Sequence, residues 1–296
     1  MRPTPQPNRT EMPRPRWADL LLRRLPPGWL NDAQVLRLRP LPEPLWLHTL
    51  AQCPWLTWRS PHQLQQLREL STLFLARKQF TPVGGLALTD AMALQVAAQA
   101  CLPIHAWGSG LRPYGAFVGV VMQPGQVLAP RRWTDDNGVT HEGHEPLSGE
   151  AMPGGPIMLS WQDVQAAGRP PDDTPSARPD DILAGAAAYN VVIHEFCHAL
   201  DLLKGEADGL PPLPADIAPQ EWLDTLWQAF DHFRDAWAHG DPIVIDPYGL
   251  AQGLSEFFPV LAETFFMTPK TLKAAHPSVY SLLSRYFRDN PADWAP

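Results

Sequence analysis

Cysteine is scarce in this 296-residue chain: Cys53, Cys101 and Cys197 are three in number and far apart, and none belongs to a CxxC pair. A disulfide framework is thereby excluded, and a reducing, cytoplasmic setting is the expectation. Positive charge is also in deficit, with 23 Lys and Arg against 31 Asp and Glu for a net charge of −8. No global field exists to hold a polyphosphate backbone, so nucleic acid is not expected as a direct partner. Behind the first arginines (Arg2, Arg9, Arg14, Arg16) there is no apolar stretch of the kind that forms a secretory signal. Internal repeats are lacking too.

What is abundant is proline, 35 residues, together with an apolar content of 45% that can bury a sizeable core. Prolines at 3, 5, 7, 13 and 15 deny a helix to the first 16 residues, which read as a disordered Arg/Pro-rich tail. Residues 17–296 read as a single domain, and a monomer is the expectation. Trp17 to Leu25 suggests a short helix stopped by Pro26 and Pro27. Ser60 followed by Pro61 is a helix start, and the leucines from Leu64 to Leu73 recur at helical spacing towards Lys78. Another helix is expected from Thr89 through Ala100.

Phe117–Met122 and Gln126–Leu128, separated by Pro124 and Gly125, read as a hairpin, and Ile157–Leu159 as a third strand. Residues 131–150 and 168–181 are polar and turn-rich and read as surface loops. After Pro219, Trp222, Leu223, Leu226, Trp227, Phe230, Phe233 and Trp237 share one helical face, and further helices are expected near 256–266 and 278–288. The apolar run Ile182–Leu200 is long enough to suggest a membrane span. It contains Asn190, His194, Glu195 and His198 and has no companion span, so a buried helix is the better reading.

That run holds the chemistry. In VVIHEFCHALD, His194 and His198 are four residues apart, one helical turn plus about 40°, so both imidazoles project from one face and can grip one metal ion. Glu195 is placed to take a proton from water activated there. Chance supplies an HExxH pattern in a chain of this composition on the order of 0.01 times. A third ligand is still needed. Asp201 and Lys204 stand where a metzincin would have glycine and histidine, which excludes that class. Glu221, Glu256 and Glu263 are the downstream candidates. Glu221 reads as a solvated first-turn carboxylate, whereas Glu256 and Glu263 lie in the apolar segment SEFFPVLAETFF, where a carboxylate wants a cation or a donor.

NVVIHEFCHALD, ADGLPPLP and SEFFPVLAETFF, with FLARKQF, GGLALTD, AAQACLP and LSGEAMPGGPIMLSWQDV upstream, resemble the MtfA (Mlc titration factor A) family of bacterial zinc peptidases. The likeness runs from about 60 to 290. It implies an α+β, mainly helical zincin-like metallopeptidase fold with a small β-sheet, related to the catalytic domain of anthrax lethal factor, and activity of aminopeptidase type. It also implies one Zn2+ per chain on His194, His198 and Glu256, with Glu195 as catalytic carboxylate and Tyr248 as donor to the oxyanion. Partners implied are a peptide or protein substrate and, independently of catalysis, a transcriptional repressor of the Mlc type that regulates glucose uptake. The segment near 172–187 is longer than the family's link at that point.

Other residues take plainer roles. His141 and His144 read as a solvated turn, and Cys197 as a packed core thiol. Asp201 either orients an imidazole or ends the helix, and Glu263, seven residues beyond Glu256, supports the site from behind. Pro259 requires Glu256 to lie at or before its helix's first turn. The Ile157–Ser160 strand is the expected sheet edge for an extended substrate.

Overall fold

The computed structural model describes residues 26–115, 117–134, 140–168 and 188–296, with the backbone alone over 128–134 and 140–147. The expected tail, the 17–25 helix, the 168–181 loop beyond Gly168 and the 172–187 segment lie outside the described residues. In chain order the elements are α1 (Asp32–Leu38), α2 (Glu43–Gln52), α3 (Pro61–Arg77), β1 (Gln79–Pro82), α4 (Asp90–Cys101), β2 (Gly119–Gln123), β3 (Val127–Thr134), β4 (Thr140–Leu147), β5 (Gly149–Ala151), β6 (Ile157–Ser160), α5 (Trp161–Ala166), α6 (Val191–Asp201), α7 (Pro219–His239), α8 (Leu254–Met267), α9 (Pro269–Ala275) and α10 (Pro277–Phe287). The fold is α+β and mainly helical. None of the described helices is long and apolar enough to cross a membrane.

Local chemistry explains the helix starts. Ser60 and Gln63 form a reciprocal capping box in front of Pro61, and the Thr89 hydroxyl accepts the Met92 N–H. Asn190 caps α6 by accepting the Ile193 N–H at 3.1 Å, so that helix begins at Val191 and does not fill the apolar run back to Ile182. Asn190 Nδ2 also donates to Gln99 on α4 at 2.8 Å, and its backbone N–H donates to Glu263 on α8. One residue thus ties the start of α6 to two neighbouring helices.

The sheet has the order β1-β2-β6-β5, parallel except that β5 runs antiparallel to β6. The hairpin expected between 117–122 and 126–128 does not form. β2 pairs on both sides with β1 and β6, so its edges are taken, and β3 instead pairs with β4 in a separate two-stranded ribbon. Much of the 131–150 segment expected as loop is therefore strand, and His141 and His144 stand on β4 rather than in a turn. Composition misleads here because these strands pair only with each other, through backbone bonds that a polar, turn-rich sequence does not display.

A single large core surrounds α6 and α8. Phe196 of α6 packs edge-on against Tyr114 and Phe117 and tilted against Phe74, with centroids 5.0–5.7 Å apart. Around α8, Phe257, Phe258, Phe265 and Phe266 meet Trp222, Phe230, Tyr286 and Phe287. Truncating such a ring to alanine costs about 3–5 kcal/mol. The α7 face is narrower than expected: Trp222, Leu226, Phe230 and Phe233 are buried, whereas Trp227 and Trp237 are 45% and 46% exposed. Seven large residues spread over 21 positions exceed the arc that one packed stripe can cover.

Candidate metal centre

α6 carries His194 and His198 on the face turned towards α8, and their Nε2 atoms stand 3.1 Å apart. Glu256 occupies the first turn of α8, where Pro259 one turn later leaves its position undisturbed. Its Oε2 lies 3.2 Å from His194 Nε2 and 3.4 Å from His198 Nε2. Two imidazoles and a carboxylate therefore converge on one point, with all three donor atoms within 4.8 Å of each other. Among the described residues this is the one group of three or more potential ligands so arranged. The donor set suits a divalent ion of the zinc type, and a carboxylate beside two ring nitrogens supplies the charge that such an ion wants.

Behind the imidazoles stands Glu263, one helical face along α8. Its Oε1 is 2.8 Å from His194 Nδ1, and its Oε2 accepts the Asn190 N–H. This contact leaves His194 Nε2 facing the centre. Burial alone disfavours a charged His194, yet the bonds to Glu256 and Glu263 outweigh it and hold the imidazolium well above its ordinary range. Burial also opposes ionisation of Glu256, but the hydrogen bonds and charges of His194 and His198 prevail and hold its pKa well below the usual carboxylate range. Glu263 is shifted upward by burial, which its histidine partner only partly offsets.

Glu195 is buried beside the cluster under β5. The Ala151 backbone donates to it, and burial raises its pKa. Gly149 lies so close that a Cβ built there would stand 2.6 Å from Glu195 Cγ and 2.7 Å from Oε1. Tyr248 lies in a short 3-10 helix, Pro247–Leu250, whose start is capped by Asp246 Oδ1 on the Tyr248 N–H at 2.9 Å. Its ring is half exposed, with its centroid 6.0 Å from that of His194. A cavity of about 270 Å³ opens between these groups, floored by His194 and Glu195.

The remaining expectations fall out from the same geometry. Glu221 pairs with Arg285 through both carboxylate oxygens on an exposed surface, which removes it as a ligand. Asp201 neither orients an imidazole nor merely ends α6: its Oδ2 accepts the Gly209 N–H at 2.7 Å and anchors the following loop. Burial lifts its pKa to about 6. Cys197 is buried with the thiol pushed up by desolvation, as a core residue. The Ile157–Ser160 strand is not an edge, because β2 and β5 flank it; β5 is the edge beside the centre. Sequence reasoning missed Gly149, Ala151 and Asp246. Asn190 carried a usable signal, a capping residue directly before an apolar helix.

Residues 28–288 match the family described as glucose-regulated metallo-peptidase M90. The chain belongs to that family. It is 32% identical over 242 residues to Mlc titration factor A of Pectobacterium atrosepticum, covering 80% of this chain and 83% of that one. Its likeness to the proteins of the same name from Yersinia pestis and Yersinia pseudotuberculosis is 30% over 248 residues, or 82% of this chain and 84% of theirs. The M90 chain is thus a metallopeptidase relative throughout its core, and the cluster of three potential ligands lies inside the matched span.

Proposed function

We propose that the chain is a cytoplasmic, monomeric zinc peptidase of aminopeptidase type, holding one Zn2+ through His194, His198 and Glu256. The observation that carries this reading is the convergence of those three donors beside a buried carboxylate, Glu195, that takes no part in their contact. A zinc ion there supplies Lewis acidity, polarising a peptide carbonyl and drawing the pKa of adjacent water down towards ~7.

The protein's own groups do the rest. Glu195, its pKa raised by burial, takes the proton of the attacking water and returns it to the departing amine. Glu263 fixes the His194 tautomer. Tyr248, on the cavity rim, donates its phenol to the carbonyl oxygen as negative charge develops. The Ser160 N–H bonds to Ser148 O at 2.8 Å, so by antiparallel alternation Glu150 faces β6 while Gly149 and Ala151 face outward. Apart from the Ala151 N–H, which is given to Glu195, the outward backbone groups of these two residues offer an extended peptide a strand to pair with.

The test is a pair of variants. Glu195→Gln retains about one zinc per chain and loses hydrolysis on the order of 10²–10⁴-fold; unimpaired turnover would sink the mechanism. Glu256→Ala loses the metal, read by metal analysis of the purified chain.

The relatives' name, Mlc titration factor A, favours a second reading, sequestration of an Mlc-type repressor. Capture of such a repressor by Glu195→Gln, as strongly as by the wild type, is the result expected if that role needs a surface and no turnover.

A further inference from the structure

The cavity beside the metal centre is lined by Ser148, Gly149, Tyr189, Val191, Val260 and Tyr248 around its mouth and walls, with His194, Glu195, Glu263 and Asp246 as its ionisable groups. At about 270 Å³ it has room for a single side chain. Val191, Val260 and the Tyr189 ring give it an aliphatic and aromatic wall. Among the described residues no lysine or arginine lines it.

The polar groups around this space are mostly committed. Tyr189 donates its hydroxyl to Asp163 Oδ1 at 3.3 Å, and both Glu263 oxygens are taken by His194 and Asn190. Glu195 sits against Gly149 with a bond from Ala151. Asp246 differs: Oδ1 caps Tyr248, and Oδ2 has no partner among the described residues. A half-buried carboxylate with one oxygen uncommitted, at the side of a slot that no lysine or arginine among the described residues enters and with His194 already bonded to Glu256 and Glu263, is an incomplete ion pair.

We propose that Asp246 is a specificity residue: it receives the side-chain ammonium or guanidinium of a lysine or arginine flanking the cleaved bond, the aliphatic stem lying against Val191 and Val260. This rests on the peptidase reading above. The same carboxylate environment repels an acidic side chain, so peptides carrying Glu at that position are excluded. Because Asp246 also positions Tyr248 through its backbone, the residue couples recognition of the cation to placement of the phenol.

The test compares peptides with Lys, norleucine or Glu at each of the two positions flanking the cleaved bond, all with the same free amino terminus, on the zinc-loaded full chain. Norleucine preserves the lysine stem and removes the charge. At one of the two positions kcat/KM for Lys exceeds that for norleucine by about tenfold, with Glu slowest. In Asp246→Asn, whose amide oxygen can still accept the Tyr248 N–H, that ratio falls to about one. Any loss shared by all the peptides cancels in the ratio. Equal rates for Lys and norleucine at both positions, or a preference that survives Asp246→Asn, would overturn the proposal. Dissociation constants of the same peptides on zinc-loaded Glu195→Gln provide the second readout. A chain that discriminates in binding yet cleaves nothing keeps the Asp246 assignment and loses the peptidase reading; cleavage without discrimination does the reverse.

Discussion

At the scale of single residues, the centre is governed by who shares a proton with whom. In the metal-free chain His194 is held protonated at neutral pH, chiefly because its bonds to Glu256 and Glu263 outweigh the burial that opposes charge. Its folded pKa exceeds the unfolded one. The pair therefore stabilises the metal-free fold fully below the unfolded value of about 6.5, and that contribution is lost as pH rises through the raised folded value. Metal binding must expel the same proton. Zinc uptake by the apo chain at pH 7 is expected to release about one proton from this site, seen as a dependence of binding enthalpy on the ionisation enthalpy of the buffer. Glu263→Gln removes one of the two stabilising carboxylates and reduces that release; an unaltered release would show that Glu263 does not hold the proton. The HExxH pair was legible at this scale because its spacing maps onto helix geometry. Asp246 was not, since an isolated aspartate before Pro247 reads as an ordinary turn residue until folding sets it beside the cavity.

At the scale of elements, the site is a helix face, a second helix and a strand edge pressed together. α6 and α8 were readable from apolar density, and so was the placing of Glu256 in a first turn ahead of Pro259. β5 was not, because Gly149–Ala151 is too short to show any period and its role comes only from what lies beneath it. The hairpin failed for a related reason: local sequence can suggest strands, but partners come from long-range packing, and β2 was claimed on both edges by β1 and β6. The close approach of Gly149 to Glu195 makes a sharp expectation. Gly149→Ala forces β5 or the Glu195 side chain to move, and a misplacement near 1 Å costs on the order of 10²-fold in rate. Zinc content stays at the wild-type level, since none of the three ligands is touched. Full activity in that variant would mean that β5 yields freely.

At the scale of the whole molecule, ends far apart in sequence are locked together. Arg59, just before α3, is fully buried and donates through Nε to Asp289 Oδ2 at 2.9 Å and through a terminal nitrogen to Trp55 O at 2.8 Å. Gln63 of the capping box adds a bond to Asp289 Oδ1 at 3.2 Å. The clasp joins the entry of α3 to the exit of α10, 230 residues away. Asp289→Ala strands the guanidinium without its counter-charge and is expected to lower unfolding free energy by about 3–5 kcal/mol, read from urea denaturation at constant slope. Nothing in the sequence linked Arg59 with Asp289, because both stand in short polar stretches that look like solvated surface. The three donors proposed to hold the metal have a similar reach, with His194 and Glu256 lying 62 positions apart. A growing polypeptide that has emerged only as far as α7 owns both imidazoles but no carboxylate to complete their grip. With Glu256 as the proposed third ligand, ion capture waits on late translation, and a chain that stops before α8 lacks the complete donor set.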